Sequence, residues 1–265
     1  MNGFELLRGA VMAGGVALLA MGCISIDREV YVGDGETWTR SAGTVNGNVM
    51  VGDNAILESD ASTVNGSVMI GDGAIVEDVD TVNGMVTIGA DTMARSVDTV
   101  NGDIYIGPGT AVDNDIDTVN GAIMMELGSS AGGEVETVNG VISMTGATAG
   151  GEVSTVNGAI TLAEGSAAAD VETVNGDVTL LGGSSVLGRI EIEAPGEEAK
   201  NVRDIVIAIG ADCVVQGPII MEYHPRRTYY IFVHESAQIA GIEGTAELET
   251  YSGAEMTAAD FRDRM

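Results

Sequence analysis

Residues 97–107 read "VDTVNGDIYIG". The four letters near the start, Thr-Val-Asn-Gly, recur eight times, beginning at Thr44, Thr63, Thr81, Thr99, Thr118, Thr137, Thr155 and Thr173. Successive copies are 19, 18, 18, 19, 19, 18 and 18 residues apart. A period this regular over half of a 265-residue chain decides the architecture, because each unit is one structural turn that must stack on its neighbours.

Aligned on the threonine, the copies place an apolar residue two positions earlier (Ala42, Ala61, Val79, Val97, Ile116, Val135, Val153, Val171). A β-branched residue stands five positions later and Val, Ile, Met or Leu seven later, as in Ile104 and Ile106 or Ile123 and Met125. The residue between them varies. This alternation is the period-2 signature of a strand with one buried face. Eleven positions after the threonine the residue is always small (Ala55, Ala74, Thr92, Thr110, Ser129, Thr148, Ser166, Ser184), which predicts a crowded inner corner. No unit has the length or periodicity for a helix. The fold expected is all-β: a right-handed parallel β-helix, or β-solenoid, of 18–19-residue coils about 4.8 Å apart with an irregular C-terminal cap. Asn-Gly is read as a corner, on the ground that both residues tolerate positive φ, with the asparagines stacked as an amide ladder.

Composition agrees. Aromatics are 4 % and Gly is 38 residues, so the core is aliphatic and the turns are many. The formal net charge is −29. Residues 41–188 carry 21 acidic residues and one basic residue, Arg95; residues 189–265 carry 14 and 7. Such a surface excludes nucleic acid as a partner. The acids form columns. One position before the threonine stand Asp80, Asp98, Asp117, Glu136 and Glu172, and three before it Asp60, Asp78, Asp115, Glu134, Glu152 and Asp170. Both columns flank an inward aliphatic and should face outward. They are either simply solvated or weak Ca²⁺ or Mg²⁺ ligands, with Asp80, Asp98, Asp117 and Glu136 as the metal candidates. No other cofactor is expected.

Nothing in the pattern points to catalysis. His224 and His234 are read as structural. The carboxylates are periodic, whereas a glycoside hydrolase uses one singular pair. β-Helical polysaccharide lyases need a cationic base, and the repeats hold only Arg95. A row of threonines could bind ice, but the neighbouring acids would spoil a flat, weakly hydrated face.

The N-terminus reads as a signal peptide over residues 1–22. An apolar run covers residues 9–22, and Leu19-Ala20-Met21-Gly22-Cys23 resembles the lipobox of bacterial lipoproteins. That resemblance implies lipidation at Cys23, and Ile24 after it implies sorting to the outer membrane. Cys213 is expected to be a small buried hydrophobe. Residues 23–40 are expected to be a linker and N-terminal cap, 41–188 the repeat β-helix, 189–250 irregular final coils and cap, and 251–265 a loosely ordered tail.

The TVNG-x-[VI]-x-[ILM] units over residues 41–188 resemble the repeats of the bactofilin, or polymer-forming cytoskeletal, family and of adhesin-type β-helix domains. The resemblance implies a three-sided right-handed β-helix that polymerises end to end without nucleotide. The expected function is a non-enzymatic, lipid-anchored envelope protein with a structural, scaffold or adhesive role. The alternative is a carbohydrate-active β-helix enzyme or a polysaccharide-binding protein. The partners expected are the membrane, through the N-terminal lipid, and a second copy or an envelope component. Arg226, Arg227, Tyr229 and Tyr230 are the candidates for that contact, since arginine and aromatics are enriched at interfaces; the other reading is that they only cap the last coil.

Overall fold

The computed structural model of the protein describes residues 24–196, 199 and 202–265. The apolar run and Cys23 lie outside these residues, as does the signal peptide expected over 1–22.

The chain is a parallel β-solenoid. One coil illustrates all of them. A first face is the strand Ile104–Ile106, a second the short strand Ala111–Val112, and a third the strand Ile116–Asn120. The chain then reaches Ile123–Met125, which pairs in parallel with Ile104–Ile106 one coil below. The first face stacks twelve strands, from Val30–Val32 to Glu247–Tyr251. Eleven spacings of about 4.8 Å make a rod roughly 50 Å long.

The inward residues are those the alternation predicts. Val49, Val68, Val86, Ile104, Ile123, Ile142, Ile160 and Val178 are buried down the first face, and Ala42 to Val171 down the third. The small column fills the corner between the first two faces, where Thr92 and Thr110 donate to Gly71 O at 2.9 Å and Gly89 O at 2.6 Å. One member differs from expectation. Thr148 is exposed and pairs with Ser130, and Ala147 fills the corner, because this coil spends one residue fewer on the turn after Met144.

The repeat motif does three separate jobs. Its threonines are buried, and the six from Thr63 to Thr155 donate to the carbonyl of the motif glycine one coil below, from Gly47 O to Gly140 O, at 2.8–3.2 Å, whereas Thr173 Oγ1 is left without a partner. No threonine row is therefore displayed by the motif, and the ice-binding arrangement is overturned. Its asparagines form the expected amide ladder: Asn65 donates to Asn46, and so on to Asn175 on Asn157, at 2.8–3.1 Å. Both ends of the ladder are closed. Asn46 donates to Asp27 Oδ1 at 2.8 Å, and Arg227 donates to Asn175 Oδ1 at 2.6 Å.

Its glycines correct the sequence reading. Neither the motif Asn nor the motif Gly has positive φ. Positive φ sits instead at the corner ten residues on, at Asn54, Gly73, Asp91, Gly109 and Gly128. The motif glycine is needed because the backbones of successive coils nearly touch there. A Cβ on Gly121 would lie 1.9 Å from Gly102 O.

The solenoid extends beyond the repeats at both ends. Residues 24–38 form a coil rather than a linker, with Val30 against Val49 and Trp38 against Leu57. At the other end Ile205–Ile209, Val214–Met221, Tyr229–His234, Gln238–Glu243 and Glu247–Tyr251 continue the stack in parallel register. The tail is also ordered. A short helix α1, Ala258–Arg262, starts with a Thr257–Asp260 capping box. Phe261 stacks on Phe232 with ring centroids 3.9 Å apart, and Arg262 Nη2 meets Asp177 Oδ1 at 2.6 Å. The helix covers outward residues that turn apolar here, Val206, Ala208 and Phe232.

Candidate functional site

The third face carries the chemistry that repeats. Strand alternation turns residues −3, −1 and +1 of the motif threonine outward, giving two carboxylate rows beside a valine row. Register places Asp80 beside Asp98, then Asp117, Glu136, Ser154, Glu172 and Glu191, coil upon coil. The four metal candidates Asp80, Asp98, Asp117 and Glu136 are thus consecutive in one column. Among the described residues, however, no cluster of three or more acidic, histidine or cysteine side chains is arranged round one point as a metal centre.

The central row is crowded, and its acids hold protons unusually well. Burial, reinforced by neighbouring carboxylates, pushes Asp117 and Glu172 up to about 8, Asp80 to about 7 and Asp98 to about 6. Glu136 and Glu152 are raised for the same reason. Only two cations lie near these rows among the described residues of the repeats and the next coil. Arg95 pairs with Glu77 at 3.2 Å and with Asp78, and Arg189 pairs with Glu191 at 2.6 Å.

A pH dependence follows. A carboxyl whose folded pKa is raised stabilises the fold below its unfolded value of about 4, and that contribution is lost as pH rises through the folded value. The window here runs from about pH 4 to pH 8. The melting temperature should fall across it by on the order of 10 °C, the summed effect of several such groups after allowance for solvent screening. Added NaCl should recover part of the loss at pH 8.5. A melting temperature flat or rising between pH 5 and 8.5 would contradict the column's proton affinity.

Other sequence candidates fall elsewhere. His224 and His234 are both buried. His224 Nδ1 accepts from Arg226 N at 3.2 Å, while His234 lies 2.9 Å from Ser236 Oγ and edge-on to Tyr251. Cys213 is buried in the core, which holds its thiol above the usual range. The predicted docking patch is not continuous. Arg227 is buried and spends its guanidinium on Val174 O at 2.7 Å, Glu193 O at 3.1 Å, Arg203 O at 3.0 Å and Asn175. Tyr229 is buried with its hydroxyl on Glu222 O at 2.5 Å. Tyr230 packs beside α1, and of the four only Arg226 is exposed, with its guanidinium on Ala199 O. What stands there is the end-stop of the amide ladder. A groove of about 360 Å³ opens beside it, lined by Tyr223, His224 and Thr245 among others.

Comparison with protein-family models, with curated proteins and with solved structures gave no match for this chain. The class that fold and site define is a β-solenoid with an acidic, proton-retaining face.

Proposed function

We propose that the chain is a non-enzymatic, lipid-anchored rod of a bacterial cell envelope, held at the outer membrane and serving as scaffold or adhesive spacer. The observation that carries this reading is the unbroken stack. The core and the amide ladder run from the first coil to Arg227, and the threonine bonds from Thr44 to Thr155, so the molecule is stiff along its length. Its outer face repeats the same groups every coil, which suits a surface that meets many equivalent partners and not one substrate. The lipobox-like residues before Ile24 supply the anchor, and the shaft's negative charge keeps copies apart sideways while leaving the ends to make contacts.

Metabolic labelling with a fatty acid tests the anchor. The Cys23→Ala variant should lose the acyl label and leave the membrane fraction. Unchanged labelling would overturn the lipoprotein reading. Release of sugar fragments from envelope polysaccharide by the purified chain would overturn the non-enzymatic one.

A further inference from the structure

The groove of about 360 Å³ beside the end of the amide ladder lies between the segment that follows Val214–Met221 and the turn that precedes Glu247–Tyr251. Two of its lining residues, Met221 and Tyr229, are buried and give it an apolar floor, each 4 % exposed. Its exposed members, Tyr223, Thr245 and Glu247, bring an aromatic ring, a hydroxyl and a carboxylate to the same opening. Tyr223 is 83 % exposed, which leaves its ring free at the rim. An apolar hollow with a few converging polar groups is the form that small-ligand sites take.

A second observation belongs to the same wall. His224 is only 6 % exposed, yet its ring lines the groove. Nδ1 accepts from Arg226 N at 3.2 Å, which requires the lone pair there and leaves the ring proton on Nε2. Nε2 has no hydrogen-bond partner among the described residues, and it is not one of the atoms sealed in the interior. A buried ring thus holds an unused donor at the wall of an open groove, where a ligand can satisfy it.

The geometry points to a neutral saccharide of one or two units as the occupant of this groove. A sugar ring presents hydroxyls that both donate and accept, together with an apolar C–H face. His224 Nε2–H meets a sugar oxygen, the Glu247 carboxylate and the Thr245 hydroxyl meet sugar hydroxyls, and Tyr223 offers its ring to the C–H face. The volume lies at the small end of the range for such clefts, about 300–1,000 Å³. Charge selects against an acidic sugar. The Arg227 guanidinium is spent on backbone carbonyls and Asn175, Glu247 stands at the opening, and the chain carries a net charge of −29. The groove is at the opposite end of the rod from Ile24. It therefore gives the adhesive role proposed above a ligand class, and it rests on that reading for its display away from the membrane, not for the binding itself.

Four neutral disaccharides, cellobiose, maltose, lactose and N,N′-diacetylchitobiose, test this on the purified full-length chain by calorimetry and amide NMR shifts. At least one should bind at a single site, with the shifts gathered at Tyr223, His224 and Thr245. Tyr223→Ala and Glu247→Gln change exposed side chains and leave the core untouched, and each should weaken that binding at least about tenfold. Tyr31→Ala, at an exposed tyrosine of the first coil, should leave it unchanged. The proposal is overturned if none of the four binds, if the shifts gather on the shaft, or if Tyr223→Ala and Glu247→Gln both bind as the wild type does. None of these results alters fatty-acid labelling at Cys23, so failure of the groove and failure of the anchor are told apart.

Discussion

Ile123→Asp should unfold the middle of the rod, whereas Met124→Asp should leave it nearly intact. The two residues are adjacent on one strand, but Ile123 is 0 % exposed and Met124 is 38 % exposed. Ile123 sits between Ile104 and Ile142 in an aliphatic column that runs the length of the first face. A carboxylate there would meet the Val, Ile, Leu and Met side chains of the core and no donor, a cost of about 5 kcal/mol or more. The same group at position 124 stays in water and costs within about 0.5 kcal/mol. In a solenoid each coil is stabilised by the two it touches, so a broken central coil also uncouples the halves. Ile123→Asp should therefore melt at least about 10 °C lower and in two steps. Similar single transitions in both variants would show that the assigned phase of the strand is wrong.

That phase was legible because burial in a stacked strand obeys a period of two, and eight aligned copies average away local exceptions. The amide ladder was legible for a similar reason: identical residues at one position of each coil must lie on top of one another. The first coil was also readable. "VYVGDGETW" at 30–38 parallels "VMVGDNAIL" at 49–57, although the TVNG motif itself is missing before it. The order of the tail was harder to see. Helix α1 has five residues and holds its place through contacts far away in the sequence, Phe261 on Phe232 and Arg262 on Asp177. The signal for it lies in the partner. "IVIAI" at 205–209 is apolar on both faces and fully buried, which a strand of a one-sided solenoid wall would not be unless something covers its outside.

Contact and cap could not be separated at Arg227 from the sequence for the same reason. Arginine beside aromatics suits an interface, but it equally suits a buried end-stop that collects several carbonyls. Only the positions of Val174 O, Glu193 O and Arg203 O, 24 to 53 residues away, decide between the two. The carboxylate column was visible as a pattern, but not its consequence. That Glu136 is almost fully covered while pointing outward depends on how closely the flanking rows stand.

The motif glycines give the sharpest contrast, because this one residue type serves two purposes seven residues apart. Gly121→Ala should be severely destabilising, and Gly128→Asn should be nearly neutral. At Gly121 the backbone has an ordinary φ, yet an added Cβ would lie 1.9 Å from Gly102 O and 2.4 Å from Gly102 C. Those atoms belong to the coil below and cannot swing aside as a side chain can. The coils would have to part by more than 1 Å where Gly102 N donates to Asn120 O at 3.1 Å and Thr118 Oγ1 to Gly102 O at 3.1 Å. Loss of these bonds and of the Asn101–Asn120 rung beside them should cost about 3 kcal/mol or more, lowering the melting temperature by about 10 °C. Gly128 has φ of +75°, and its nearest neighbour would stand 3.8 Å from an added Cβ. The molecule already contains the test of that site: Asn54 and Asp91 occupy the equivalent corner with φ of 54° and 52°. Asparagine accepts this conformation at small cost, so the Gly128→Asn change should stay within about 1 kcal/mol of wild type. If Gly121→Ala melted like Gly128→Asn, the close stacking of coils at the repeat motif would not be what requires its glycine.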